Sequence, residues 1–185
     1  MALRLARTNA EAHLYMELHP CERCGETEFN PGSSVVTAEG DLASRYAGPC
    51  PRCGNPREFT FRIPEDVIFP DEDEPTFGDD HPSELIDAGE WLWVADLIAR
   101  NTPAEPEDGM SDSERRQAFI DLRTAAAIVG EAAKFVPPDG ETVPAGTLWS
   151  DRGRAVYEDE PGRFRRIRLE VVQRTYRELA QRFAA

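Results

Sequence analysis

The chain has one lysine, Lys134, among its 21 basic residues, and the other twenty are arginine. This bias reads as the imprint of a GC-rich genome rather than of a mechanism. Positive charge is outnumbered by 35 acidic residues, leaving a net charge of −14. Bulk nucleic-acid binding is disfavoured by that balance, because phosphate contacts need a positive surface. Long apolar runs are missing as well. None reaches the ~18 residues needed to cross a bilayer, and Met1–Arg7 is too short for a signal peptide. A cytoplasmic location is expected by default. Histidine occurs three times, at His13, His19 and His81, with no H-E-x-x-H arrangement. The G-x-S-x-G, G-x-G-x-x-G and G-K-[ST] patterns that announce hydrolases, dinucleotide sites and phosphate loops do not occur. Hydrophobic residues still make up 40% of the chain, enough for a core.

Cysteine is scarce but concentrated. All four cysteines lie in two short stretches, Cys21-Glu22-Arg23-Cys24-Gly25 and Cys50-Pro51-Arg52-Cys53-Gly54. Paired C-x2-C in a reducing compartment indicates metal rather than disulfide. Four soft donors on two tight turns suit a tetrahedral Zn²⁺, and a glycine after each pair permits a positive φ that turns backbone amides toward the sulfurs. Cys21, Cys24, Cys50 and Cys53 are therefore the expected ligands of a structural zinc. Iron is the lesser alternative for the same donors. Four thiolates would fill the coordination shell, whereas catalytic zinc usually keeps a position open. His19 precedes the first pair by two residues and is expected to be a near neighbour or solvent-facing rather than a ligand. With every cysteine assigned, a Cys-His nucleophile is not expected.

The two knuckles, over about residues 13–63, resemble those of the zinc-ribbon and rubredoxin-like group. Glu22 stands where that group often has proline. The resemblance implies a small β-domain around one metal and no particular activity.

The expected fold class is α+β: an N-terminal antiparallel β zinc ribbon over residues 1–63, an acidic, proline-rich linker over 64–87, and a helical domain over 88–185 with three main helices. Residues 1–7 are expected to fray. Thr8-Asn9-Ala10-Glu11 has the form of a capping box, but Leu14, Met16 and Leu18 alternate with polar neighbours, which predicts a first strand at about 13–19. Further strands are expected at Ser34–Thr37, at Leu42–Ala47 after a turn at Glu39-Gly40-Asp41, and at Arg57–Ile63, the last pairing with the first. Val67, Ile68, Phe69 and Phe77 are expected to tack the linker onto the body.

Helices are expected from 88 to about 100, capped by Asp87, from 112 to 136, capped by Ser111, and from about 162 to 183. A short turn from Ser150 to Tyr157 is expected between the last two. Apolar stripes of Phe119, Leu122, Ala126, Val129, Ala133 and Val136, and of Leu169, Val172, Tyr176, Leu179 and Phe183, predict that the two longer helices pack together with 88–100 as third partner. Trp91 and Trp93 are expected either to be buried together or to leave one exposed at a protein interface.

Charge is unevenly spread. Residues 1–62 hold seven basic and eight acidic residues, 63–114 hold Arg100 against 17 acids, and 163–182 hold seven arginines against Glu170 and Glu178. The acidic belt is expected to be solvated and partly paired with the arginine-rich end. The runs Asp71–Glu74 and Asp79-Asp80 lack the EF-hand order and are expected to be solvated rather than calcium sites.

The functional expectation is a non-enzymatic zinc protein that binds another, basic protein, as an immunity-type or inhibitory partner of a toxin or nuclease would. One alternative is a nucleic-acid binder using Arg163, Arg165, Arg166 and Arg168. Another is an enzyme with acid/base residues in the helical half.

Overall fold

The computed structural model describes residues 3–66 and 75–184. Among the described residues the fold is α+β, with five α-helices and one three-stranded antiparallel sheet whose strands lie within residues 32–62. The chain divides into two compact units, the first holding the sheet and the second the residues from Ile86 onward.

The first unit begins with a correction. Residues 9–18 form a helix, α1 (Asn9–Leu18), and not the expected strand at 13–19. Thr8 caps it, its Oγ1 accepting from the amide of Glu11 at 3.1 Å. Glu11 is fully buried and accepts from both the amide of Arg7 (2.7 Å) and its guanidinium (2.6 Å). This buried pair and the cap decide the conformation against a short alternating pattern. The residues that α1 buries, Glu11, Ala12, Met16 and Leu18, follow helical steps.

The sheet follows as β1 (Gly32–Ala38), β2 (Asp41–Pro49) and β3 (Pro56–Arg62), in the order β1-β2-β3. Glu39 and Gly40 both take positive φ (54° and 97°) between the partners Ala38 and Asp41, giving the two-residue turn whose twist suits a hairpin. β3 pairs with β2 and not with a first strand. Helix α1 instead lies across one sheet face: Tyr15 meets Phe61 edge-on at 5.4 Å, and the Tyr46 hydroxyl donates to Asn9 Oδ1 at 2.8 Å. The outer edge of β3 is taken by residues 4–6. Arg62 donates its amide to the carbonyl of Arg4 (2.9 Å), and Ala6 donates to the carbonyl of Arg62 (3.1 Å). Ala6 and Arg7 are buried, so this part of the start is anchored rather than frayed.

Val67, Ile68 and Phe69, expected to tack the linker down, lie outside the described residues, as do Asp71–Glu74. Phe77, Ser83 and Leu85 are buried, and the carbonyl of Phe77 accepts from Thr8 Oγ1 at 2.8 Å.

The second unit holds four α-helices: α2 (Ala88–Asn101), α3 (Asp112–Ala133), α4 (Asp151–Asp159) and α5 (Arg166–Gln181). Three main helices were expected; α4 is the addition, being a full helix capped by Ser150 rather than a short turn. Ser111 and Glu114 form a reciprocal capping box at the start of α3. α3 packs on both α2 and α5, and Ala118 and Leu122 bury against Ala180 and Phe183. The helix expected over 162–183 breaks at Arg165, whose backbone is extended. A 3-10 turn, Pro161–Phe164, precedes it and buries Phe164 completely. The amide of Val143 donates to the Phe164 carbonyl, which fixes this break.

Candidate metal centre

Each knuckle is a tight turn closed on itself. In the first, between α1 and β1, the amides of Cys24 and Gly25 donate to the carbonyl of Cys21, and the amide of Cys21 donates to the carbonyl of Glu26 at 2.8 Å. The second is the loop of the β2–β3 hairpin. There Gly54 donates to the Cys50 carbonyl at 2.9 Å, and Cys50 donates to the Asn55 carbonyl at 2.8 Å. Gly25 and Gly54 take nearly equal positive φ, 73° and 71°. A side chain there would be strained, which is why both knuckles end in glycine.

The turns bring Cys21, Cys24, Cys50 and Cys53 together, with all four Sγ atoms within 4.8 Å of one another. Cys21 and Cys53 are 3.7 Å apart, and Cys24 and Cys50 are 3.6 Å apart. A disulfide needs about 2.05 Å. The edge of a tetrahedron built on Zn–S bonds of about 2.3 Å is about 3.8 Å. The separations fit the tetrahedron and exclude the disulfide. Cys21 and Cys50 are buried, and Cys24 and Cys53 are half-buried.

Without an ion, the four sulfurs perturb one another's ionisation. Burial opposes ionisation of Cys21, but the amides of Arg23 and Cys24 and the thiols of Cys53 and Cys50 outweigh it and lower its pKa to about 7. At Cys24 the amide of Glu26 favours the thiolate, yet burial and the three neighbouring sulfurs prevail and raise the pKa to about 12. Without a positive ion, one sulfur of the cluster ionises readily and another resists.

Sequence reading missed the residue that braces this centre. Arg57 is buried and donates to the carbonyls of Met16 (3.1 Å), His19 (2.7 Å) and Glu28 (3.3 Å). Its guanidinium lies over the Phe29 ring at 4.3 Å. It ties the segments that enter and leave the first knuckle to β3, which leaves the second. The signal was present: Arg57 shares the alternation of Phe59 and Phe61, so it is a cation on the sheet's apolar face. Arg52 adds a longer contact to the Cys24 carbonyl, 3.4 Å.

No protein-family model matches the chain, and no curated protein or solved structure matches it.

The other candidate residues do not join the cluster. His19 stacks on Tyr15 at 3.9 Å, with its Nδ1 2.8 Å from the Tyr15 carbonyl, and His13 lies edge-on to Tyr46. Among the described residues the four cysteines are the one group of three or more His, Cys, Asp or Glu side chains arranged to hold an ion.

The arginine-rich end is largely occupied. Arg163 pairs with both oxygens of Asp96 (2.6 and 2.8 Å), Arg182 meets Glu105 (2.9 Å), and Arg166 donates to the carbonyls of Pro137 and Gly140. Arg165 and Arg168 are exposed. Of the two tryptophans on α2, Trp91 is fully buried; Trp93 is 36% exposed and carries Arg152 over its ring at 4.4 Å, so they are not buried together.

Buried carboxylates of the helical unit have partners. Asp87 accepts from four backbone amides, Glu90 meets Arg152, and Glu131 meets Lys134. An open hollow of about 540 Å³ between the end of α2 and the start of α3 is lined by Glu107, Asp108, Glu114 and Asp121 and by no basic residue. No described helix is long and apolar enough to cross a membrane.

Proposed function

We propose that this chain is a zinc-binding protein whose metal is structural and whose work is to bind another protein, of basic character. The observation that carries the metal assignment is the convergence of four cysteine sulfurs within 4.8 Å, two pairs of them at the separation of a tetrahedron's edge. Cys21, Cys24, Cys50 and Cys53 would hold the ion and leave it no open position for water or substrate. An ion there supplies a crosslink and charge compensation for thiolates. Zinc is preferred to iron because the site needs no redox chemistry to account for it.

The basic partner rests on charge. Exposed Glu65, Asp66, Asp80, Glu107, Asp108 and Asp112 belong to a segment with a single basic residue. Such a surplus speeds encounter with a positive surface and costs stability in isolation. An immunity-type or inhibitory partner of a basic toxin or nuclease is the concrete form of this reading. The arginine cluster lends less to a nucleic-acid role than its sequence suggests, since two of its four members, Arg163 and Arg166, serve the fold.

Elemental analysis of freshly purified, reduced protein should find one zinc per chain, and Cys21→Ser or Cys50→Ser should abolish it. Protein without metal, or with iron and its visible absorption, overturns the metal assignment. Quantitative affinity purification from the native cell should recover a basic protein whose association weakens with salt. Recovery of nucleic acid alone, or of no partner, overturns the second half.

A further inference from the structure

We propose that the outer edge of β1 joins two copies of this chain through an antiparallel strand pair centred on Val35. β1 is an edge strand of the sheet. Proteins normally blunt such edges with lysine, proline, bulges or a covering element. Among the described residues β1 has none of these. Its seven residues, Gly-Ser-Ser-Val-Val-Thr-Ala, include no charge and no proline, its register with β2 is unbroken from Gly32 to Ala38, and residues 32–35 are exposed.

The two-residue turn makes Ala38 and Asp41 a hydrogen-bonded pair. Alternation then aims the amides and carbonyls of Ser33, Val35 and Thr37 away from β2. No described residue takes up those groups. The outward set is symmetric about Val35. A second copy laid antiparallel would pair Val35 with its own equivalent and Ser33 with Thr37 on both sides, an isologous contact. The apolar side chains agree. Val35 (67% exposed) shares a face with Leu42 (61% exposed), and α1 covers that face over β2 and β3 but not here.

Charge permits this occupant and selects its orientation. Residues 1–62 are nearly neutral in a chain of net −14, so two copies can meet there with little electrostatic repulsion. Glu39, next to the turn, would lie about 27 Å from its equivalent in the antiparallel pair, whereas a parallel pair would set the two side by side. The pairing surface is small beside a standard interface, so the dimer should be weak and concentration-dependent.

Sedimentation velocity on the zinc-loaded protein over a dilution series tests this. The wild type should move from monomer mass toward twice that mass as concentration rises. Val35→Lys should hold it at monomer mass at every concentration, with unchanged circular dichroism and zinc content. Val35→Pro, which deletes one outward amide without adding charge, should do the same. A wild type that stays monomeric up to its solubility limit overturns the proposal, as does a Val35→Lys variant that dimerises like the wild type. Stoichiometric capture of a strand peptide by a monomeric wild type would assign the edge to another chain and equally overturn it.

Discussion

Asp87→Asn should destabilise the helical unit by about 3–6 kcal/mol, on the following reckoning. One oxygen of Asp87 accepts from Gly89 (3.0 Å) and Glu90 (2.9 Å), capping α2; the other accepts from Trp149 (3.0 Å) and Ser150 (2.7 Å), fixing the entry to α4. The carboxylate is fully buried. An asparagine amide has one accepting oxygen and one donating nitrogen, so in either orientation two buried amides face a donor. Each lost charge-assisted bond is worth about 1.5–3 kcal/mol, which gives the range above. Whole-domain stabilities are only about 5–15 kcal/mol, so the loss is a large share. Asp87→Ala should cost at least as much. Asp87→Ser should recover about 1 kcal/mol of it by restoring the cap on α2, but its shorter side chain cannot reach Trp149 and Ser150. Urea unfolding followed by tryptophan fluorescence reads this unit alone, because Trp91, Trp93 and Trp149 all belong to it. A midpoint change equivalent to less than about 1 kcal/mol for Asp87→Asn would refute the reasoning, since even one lost bond to a charged group should exceed it.

Other consequences are equally measurable. Gly25→Ala and Gly54→Ala should each cost about 1 kcal/mol of left-handed backbone strain, read as a roughly five-fold loss in zinc affinity against a chromogenic chelator. Arg57→Met should cost about 2–4 kcal/mol by orphaning three carbonyls and a ring contact, and Arg57→Lys should not rescue it; chemical unfolding of the metal-loaded first unit checks both. In metal-free, reduced protein, Cys21 should gain reactivity toward iodoacetamide with a midpoint near pH 7, while Cys24 stays protonated across that range. The sign follows from linkage: the lowered pKa of Cys21 favours the metal-free fold, fully above its ordinary value of 9.0, and that contribution is lost as pH falls through about 7. Peptide mapping after alkylation at stepped pH identifies the residue.

Much of this was legible in the chain. The cysteine spacing and two trailing glycines located the knuckles, because their geometry is local. Asp87, Ser111 and Ser150 marked helix starts for the same reason. The stripe from Leu122 to Val129 placed the core of α3. What misled was the region before the first knuckle: alternation at Leu14, Met16 and Leu18 read as a strand against the capping pattern of Thr8–Glu11, while Arg7 fell in a stretch expected to fray. The mutual burial of Arg7 and Glu11 is a tertiary outcome, and it is what makes the Thr8 cap productive. The role of Arg57 and the second role of Asp87 were hidden likewise. Asp87 reaches residues 62 and 63 positions away, and no window of sequence reports such a contact.

The two knuckles also differ in how they come to exist. Cys50 and Cys53 sit on a hairpin loop that local strand pairing assembles unaided, whereas Cys21 and Cys24 are delivered from beyond β1. An ion bound to all four therefore closes a circuit of 25 intervening residues, and the entropy so withdrawn from the open chain is worth about 3.5 kcal/mol. The nearer pair is a landing place that exists before the ring is shut, so loading should proceed in two stages, with the second stage setting the pace.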